Sequence, residues 1–600
     1  MIRPKEDRVN YGQQLHAHAG YHVLCAIATT YGLDLETLLT ACIALGLNED
    51  TDSALRNSPL NDLHSIHQLS KKLVVFCEGG QMVVPTKNSP LMGLLDKQIV
   101  EVKLSSSKKH NIYPAFHPKV WIIAYKNDEG KVLVRLIVMS RNLTTDRSWD
   151  VSVTMEGYVG KSVQERMSPL VEFVEFLNTQ IKDKDEKPHI SAIMRDLKRL
   201  LPCVKMQVQE PFDDFELIPL TKAKHGRFYE DMLWSEKSRD KLIISPFLST
   251  EPIAHWNSFG GGTKVLITRT SELGKIVNCH DNLDVYTLKD TIVFGEQNLS
   301  TLDSNDVRIE DIHAKLYLWA QTGKGTWVYI GSMNASERGL NTNCEFLVAL
   351  HHNGIGITTR TVLNDLMGKD EKDNPFEKVD WERVVVEEEE KDETDDLQQK
   401  IKAMCRMKMQ AGVEKCDENY RIILDIQQEI PEGNITIRPF LQNNNNEQGL
   451  QQRVVFEGLS LIQLSELYVL TVKGEKSQLS RIIKIPTSYI PAEREDKVIE
   501  SIVDSPHKLA LYIGLVLAGD DNFRQGQMLG QLLKETGHAK PANAFMPALY
   551  EQLLKASVDH QEQIEEIGYL IDHLGNSEVV SEEMRRTVDL FRSKKGGQRC

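Results

Sequence analysis

The sequence predicts two α/β lobes in a pseudo-twofold arrangement, followed by a β-rich module and an α-helical C-terminal region. Apolar strands alternate with helices in the first part, short strands follow one another in the next, and helical spacing dominates the last. The predicted boundaries are 1–205 and 206–380 for the lobes, 381–400 for an acidic linker, 401–497 for the β-rich module and 498–600 for the helical region.

Composition indicates a globular protein of several domains. The chain has 600 residues, a length too great for a single hydrophobic core. Its residues are 41% hydrophobic and 26% charged, as in a globular protein. The net charge of −15 argues against a protein that covers nucleic acid through overall positive charge. A local basic groove is compatible with this net charge. No apolar run reaches the roughly 18 residues of a membrane span. The start lacks an apolar signal core, and nine scattered cysteines indicate a reduced chain, so we expect a cytoplasmic protein.

Each predicted element follows from periodicity and turn residues. In the lobes we expect strands at 21–28, 73–77, 99–102, 120–125, 132–139, 241–248, 264–268, 316–319, 327–330 and 344–350, and helices at 33–45, 163–177, 190–201 and 359–367. The β-rich module is predicted to have strands at 420–426, 434–440, 453–456, 467–473 and 480–485. The C-terminal region is predicted to have helices at 497–502, 507–517, 545–556, 561–574 and 582–591.

One arrangement of polar residues occurs twice. An H-x-K sequence opens an apolar strand, and an S-x-N sequence follows a second apolar strand about 20 residues later. Alternate residues of a strand face the same way, so each copy presents a histidine, a lysine and an asparagine together if its two strands pair. The candidate catalytic residues are His117, Lys119, Asn142, His313, Lys315 and Asn334, with Ser140 and Ser332 as supporting residues.

Two such sets facing each other suit the cleavage of a phosphodiester. One imidazole can attack phosphorus, and the other can protonate the leaving oxygen and then activate water. Lysine and asparagine side chains can stabilise the charge on the non-bridging oxygens, so no metal or other cofactor is expected. A single H-x-K arises by chance about once in a chain of this length, but its duplication with a matched S-x-N does not.

These motifs resemble the phospholipase D superfamily over roughly residues 15–370. The segments F-H-P-K-V-W and G-S-x-N-A-S-x-x-G-L-x-x-N-x-E are similar to those of bacterial nuclease-like members. Most members have an aspartate a few residues after the lysine, where this chain has Ala124 and Ala320. That departure resembles the tyrosyl-DNA phosphodiesterase and nuclease-like branches. The first copy also has Met139 in place of a glycine, and Asp150 in the region where a glutamate is common.

The resemblance gives two further residues a candidate role. Glu345, at the end of the second motif, is expected to bond a catalytic histidine and fix its tautomer; the alternative is a surface glutamate at a strand end. Arg269 follows a predicted strand and is either a phosphate clamp or an ordinary surface arginine. His117 is the expected nucleophile by resemblance, with His313 as acid and base, and the pseudo-symmetry leaves the reverse assignment open.

We therefore expect a metal-independent phosphodiesterase, with DNA or RNA as the favoured substrate and antiphage defence as the setting that the resemblance implies. One alternative is a phospholipid or small-diester hydrolase or transferase. The sequence has few basic amphipathic stretches, which argues against work at a membrane surface. The other is a non-catalytic assembly or sensor subunit, against which the intact residue sets speak. Residues 401–600 contain no catalytic constellation and are expected to mediate self-association or binding of a protein partner.

Overall fold

The structure is a computed structural model. It describes residues 11–46, 59–105, 113–145, 148–182, 187–221, 240–259, 262–289, 311–321, 325–368, 374–384, 393–518, 553–554, 556–557, 561–575 and 579–592.

Two mixed sheets form the N-terminal part of the described chain. The strands of the first sheet lie in the order Ile99–Val102, Leu73–Glu78, Tyr21–Thr30, Val120–Asn127, Val132–Met139, Ser152–Val159 and Val204–Gln207. The strands of the second lie in the order Asp214–Leu220, Glu345–His352, Gly325–Gly331, Leu316–Gln321, Asp240–Ile244, Lys264–Ile267, Asp284–Leu288 and Phe376–Lys378. The chain is therefore a mixed α/β protein.

The same strand pairing occurs in both sheets. In the first, Tyr21–Thr30 runs parallel to Leu73–Glu78 and antiparallel to Val120–Asn127, the strand that follows the first H-x-K. In the second, Asp240–Ile244 runs parallel to Lys264–Ile267 and antiparallel to Leu316–Gln321. The two strands of each motif pair as expected, with Val120 opposite Val138 and Leu316 opposite Ile330.

Helices cover the sheets and fill the space between them. Their bounds are Tyr11–Leu15, Leu35–Gly46, Pro59–Leu69, Pro90–Leu94, Ser168–Thr179, Pro188–Leu200, Thr250–Ser258, Glu337–Asn341 and Thr359–Met367. The predicted helix at 33–45 begins only at Leu35, because Leu33 and Asp34 pair as a short strand with Met82–Val83. One buried apolar cluster spans both sheets, where the Phe173 and Phe346 ring centroids lie 4.9 Å apart.

Two more sheets form the region of residues 393–497, called the third region below, which contains the predicted β-rich module. One has the strand order Arg453–Leu459, Asn419–Ile426, Met409–Cys416 and Thr487–Ser488. The other has the order Leu33–Asp34, Met82–Val83, Gln478–Lys484, Leu467–Lys473, Asn434–Pro439 and Gln448–Gly449, so it includes two short strands from the first lobe. The strand at Met409–Cys416 was not predicted. The third region thus shares a sheet with the first lobe.

The helix Glu393–Cys405, called the docking helix below, corrects the linker prediction. Residues 393–400 were assigned to a solvated linker because of their acidic composition, but they are helical. Leu397 and Ile401 are buried against the strands of the third region, and the acidic residues of the first turn lie at the helix N-terminus, where negative charge stabilises a helix. Residues 385–392 lie outside the described residues.

The C-terminal region is helical where it is described, with bounds Glu493–Ile502, Pro506–Ala518, Gln561–His573 and Glu582–Arg592. Nearly all of the helix predicted at 545–556 lies outside the described residues. The helix Gln561–His573 joins the core of the first lobe, where Glu566 Oε1 lies 2.6 Å from His64 Nδ1. Across the residues that the structure describes, no helix has the length and apolarity to cross a membrane.

Candidate active site

The two H-x-K motifs meet at the seam between the lobes. The His117 amide donates to the Cys344 carbonyl at 2.9 Å, and the His313 amide donates to the Trp149 carbonyl at 2.9 Å. Isolated bridges join Phe116 to Cys344 and Trp149 to Ile312. Each histidine is thus held by a backbone hydrogen bond to the opposite lobe. The residue that accepts this bond is followed directly by an acidic residue, Glu345 or Asp150.

Those acidic residues bond the histidine rings across the seam. Glu345 Oε2, from the second lobe, lies 2.9 Å from His117 Nδ1. Asp150 Oδ1, from the first lobe, lies 2.9 Å from His313 Nδ1. A carboxylate on Nδ1 fixes the tautomer with the proton on that nitrogen, which leaves the Nε2 lone pair available as a base or nucleophile.

A serine orients each carboxylate. The Ser140 hydroxyl donates to Asp150 Oδ1 at 2.7 Å, and the Ser332 hydroxyl donates to Glu345 Oε2. Ser140 and Ser332 are fully buried, as is Glu345. Each serine therefore acts on the histidine of the other lobe through a carboxylate of its own lobe.

Both lysines of the motifs are buried in the site. The Lys119 ammonium donates to the His117 carbonyl at 2.9 Å, and the Lys315 ammonium donates to the His313 carbonyl. Burial, followed by the charge of Lys119, lowers the pKa of Lys315 well below its ordinary value. A bound anion would offset the repulsion between the two lysines, so Lys119 and Lys315 together favour the binding of a phosphate.

Burial and the neighbouring lysines also lower the pKa values of both histidines. The pKa of His117 falls well below its ordinary value, and that of His313 falls to about 4. Both imidazoles are therefore neutral near pH 7 in the ligand-free site, as a nucleophile requires.

The two carboxyl groups differ in proton affinity. Burial raises the pKa of Glu345 to about 7 against the opposing effect of Lys119 and the hydrogen bonds from Ser332 and Asn343. Burial acts in the same direction on Asp150, but the hydrogen bond and charge of His313 outweigh it and lower the pKa of that carboxyl.

The asparagines occupy different environments. Asn334 is buried, and its Oδ1 has no hydrogen-bond partner among the described residues. Asn142 is half-buried, and its Oδ1 accepts from the Gly32 amide at 3.4 Å, in the turn after the strand Tyr21–Thr30. This bond places Asn142 beside Tyr31, whose ring centroid lies 5.3 Å from that of His117.

The structure brings both motif histidines, both lysines, both serines and Glu345 together at the seam and adds other residues. Asp150 was noted in the sequence only as a departure from a glutamate, yet it bonds His313 as Glu345 bonds His117. Asn343 donates to Glu345 Oε1 at 3.4 Å and accepts from the Ala115 amide at 3.0 Å. Its position at the end of the second motif was a signal that sequence reasoning left unused. In the described residues, no group of His, Cys, Asp and Glu side chains has the arrangement of a metal site.

No family model matches the sequence, and no curated protein matches it. Solved structures do match. The yeast tyrosyl-DNA phosphodiesterase is 14% identical, with 59% of this chain and 88% of that chain covered and a TM-score of 0.36. The phosphatidylserine synthase of Haemophilus influenzae Rd KW20 is 9% identical, with 63% and 86% covered and a TM-score of 0.31. These similarities concern the fold and do not indicate a substrate.

Proposed function

We propose that this chain is a metal-independent phosphodiesterase that cleaves DNA or RNA through a phosphohistidine intermediate. The observation that carries the proposal is the crossed arrangement of His117 with Glu345 and His313 with Asp150, with two buried lysines beside them. Two histidines of fixed tautomer supply a nucleophile and an acid–base catalyst in one cleft. The lysines supply the positive charge that a divalent ion supplies elsewhere.

The first step transfers the phosphoryl group to the protein. His117 Nε2 attacks phosphorus, a P–N bond forms, and the bond from phosphorus to the leaving oxygen breaks. Binding of the anionic diester offsets the lysine charges and raises the pKa of His313, so that His313 Nε2 takes up a proton from solvent and then donates it to the leaving oxygen. Lys119 and Lys315, with Asn142 and Asn334, stabilise the negative charge on the non-bridging oxygens.

The second step releases the intermediate. His313, now neutral, takes a proton from a water molecule, the water oxygen attacks phosphorus, and the P–N bond breaks. Glu345 stabilises the positive charge of the phosphorylated His117 ring through its bond to Nδ1. The assignment of the nucleophile to His117 follows the resemblance of the first motif. Antiphage defence is the biological setting that this resemblance favours.

The test is cleavage of labelled single- and double-stranded DNA and RNA in excess EDTA by the wild type, His117→Ala and His313→Ala. We expect cleavage that survives EDTA and is lost in both variants. Cleavage that EDTA abolishes would refute the metal-independent mechanism. No cleavage of any nucleic acid, with hydrolysis of phospholipid vesicles instead, would support the phospholipid hydrolase alternative.

A substrate with a good leaving group separates the two histidines, because p-nitrophenolate needs no protonation. With bis(p-nitrophenyl) phosphate, His313→Ala is expected to release a burst of nitrophenolate and to accumulate an acid-labile phosphoprotein. His117→Ala is expected to give neither. The opposite pattern would assign the attack to His313.

A further inference from the structure

The docking helix lies directly against the first lobe. A side chain at Gly80 would bring its Cβ within 2.7 Å of Cys405 Sγ and 2.9 Å of Ile401 Cγ2, and the φ of Gly80 is +75°. The strand Gln478–Lys484 of the third region also pairs with the first-lobe strand Met82–Val83, where Ile482 lies opposite Met82. These two contacts fix the docking helix beside the first half-site.

The helix places a lysine next to the catalytic histidine. Lys402 is 5% exposed, and its Nζ lies 5.2 Å from the centroid of the Tyr31 ring. The same ring meets His117 edge-on at 5.3 Å, and Lys119 Nζ lies 5.9 Å from it. Lys402 thus adds a third-region cation to the group around His117. Its charge contributes to the low pKa of His117, after burial and the charges of Lys119 and Lys315.

The second half-site has a matching cation from its own lobe. Phe247 follows the strand Asp240–Ile244, as Tyr31 follows Tyr21–Thr30, and Arg269 Cζ lies 4.8 Å from the Phe247 ring centroid. Arg269 Nε donates to the carbonyl of Ile312, the residue before His313, at 2.7 Å. Arg269 therefore flanks the second half-site as Lys402 flanks the first.

The first lobe has an acidic residue where the second has this arginine. Glu78 ends the strand Leu73–Glu78, and its Oε2 accepts from the amide of Phe116, the residue before His117, at 2.8 Å. Arg406 donates to Glu78 Oε1 at 3.4 Å, and Lys402 Nζ forms a longer ion pair with the same oxygen at 3.8 Å. The first half-site thus depends on the third region for a cation that the second half-site supplies itself.

A cation on each flank of a phosphodiester site suits a ligand with more than one phosphate. Lys119 and Lys315 lie at the centre, and Lys402 and Arg269 lie on opposite flanks, in a chain whose net charge is −15. Local cations of this kind contact successive phosphates along a nucleic-acid backbone.

We propose that Lys402 and Arg269 bind the phosphates on either side of the scissile one, so that the substrate is a strand of consecutive phosphodiesters. This inference rests on the proposed function and adds the residues that would bind the phosphates flanking the cleaved one. The third region, which the sequence suggested was only an interaction platform, then forms part of the substrate-binding site.

The test compares Lys402→Met with Lys402→Arg and with Lys400→Met as a matched control. Lys400 lies on the same helix, where its Nζ pairs with Asp396 at 3.0 Å. Binding of a fluorescent single-stranded DNA is measured at several salt concentrations in a His313→Ala background, which lacks the proposed acid. Loss of one phosphate contact lowers the slope of log K against log salt by about 0.7. We expect this reduction for Lys402→Met, and no change for Lys402→Arg or Lys400→Met.

Cleavage by the otherwise wild-type protein gives a second readout. For Lys402→Met, we expect kcat/KM to fall at least tenfold more on the DNA than on bis(p-nitrophenyl) phosphate, which has a single phosphate. Equal losses on both substrates would overturn the inference, because Lys402 would then act only by positioning His117. An unchanged salt slope, or no DNA binding at low salt, would also overturn it. Lys402-dependent binding without cleavage would count against the proposed function alone.

Discussion

Glu345→Gln is expected to stabilise the protein while it abolishes activity. Glu345 is fully buried, and burial raises its pKa from 4.5 to about 7. The folded state therefore holds the proton more tightly than the unfolded state, so stability falls as the pH rises from about 4.5 to about 7. A pKa displacement of this size corresponds to about 3 kcal/mol at pH 8, a cost that glutamine does not incur.

The same substitution removes the carboxylate that fixes the tautomer of His117. The Glu345 carboxylate accepts from His117 Nδ1, whereas an amide at this position can donate to Nδ1 and force the proton onto Nε2. His117 Nε2 then lacks the lone pair that attacks phosphorus in the proposed mechanism. The analogous change from aspartate to asparagine in a Ser–His–Asp triad costs about 10⁴-fold in kcat, and we expect a loss of about 10³- to 10⁴-fold here.

The assay pairs urea unfolding, followed by tryptophan fluorescence at pH 5 and pH 8, with steady-state cleavage. We expect the advantage of Glu345→Gln in unfolding free energy to be small at pH 5 and about 3 kcal/mol at pH 8. Glu337→Gln is the control, because Glu337 is exposed on a helix of the same lobe. A variant less stable than the wild type at pH 8, or one within tenfold of wild-type activity, would refute this reasoning.

Three further substitutions test other contacts. Asp150→Asn is expected to lower kcat by about 10³- to 10⁴-fold by reversing the His313 tautomer, and a pH–rate profile identical to that of the wild type would contradict this. Gly80→Val crowds the docking helix, and we expect a loss of about 1–3 kcal/mol in urea unfolding together with weaker DNA binding. Asp96→Ala leaves the buried Arg494 guanidinium without its carboxylate, which lies at 2.9 Å, and should cost about 3–5 kcal/mol; a thermal transition unchanged from the wild type would exclude this contribution.

The duplicated motif allowed much of the candidate site to be predicted from the sequence. Strand alternation places His117 beside Lys119 and His313 beside Lys315, and the paired strands of the structure follow that pattern. The role of Glu345 could be suggested only by resemblance, because its partner is far away in sequence. Asp150 was missed for the same reason: no local pattern shows that a residue of the first lobe bonds a histidine of the second.

The docking helix was missed because the acidic composition of its first turn outweighed the helical spacing of its apolar residues in the prediction. Its first turn contains Glu393, Asp395 and Asp396 and directly follows an acidic run, a composition typical of a solvated linker. Burial of Leu397 and Ile401 against strands formed later in the chain decides the structure instead. The buried apolar residues Leu397, Ile401, Met404 and Cys405 nevertheless follow helical spacing, so this signal was present in the sequence.

The exchange of carboxylates has a consequence for how the protein can be divided. The His117 ring depends on Glu345 of the second lobe, and the His313 ring depends on Asp150 of the first, so each H-x-K histidine takes its carboxylate from the opposite lobe. The Lys402 ammonium extends this dependence to the third region. A separated lobe would therefore retain its H-x-K and S-x-N residues but lack the group that sets the tautomer of its histidine, so the proposed activity requires both copies of the motif.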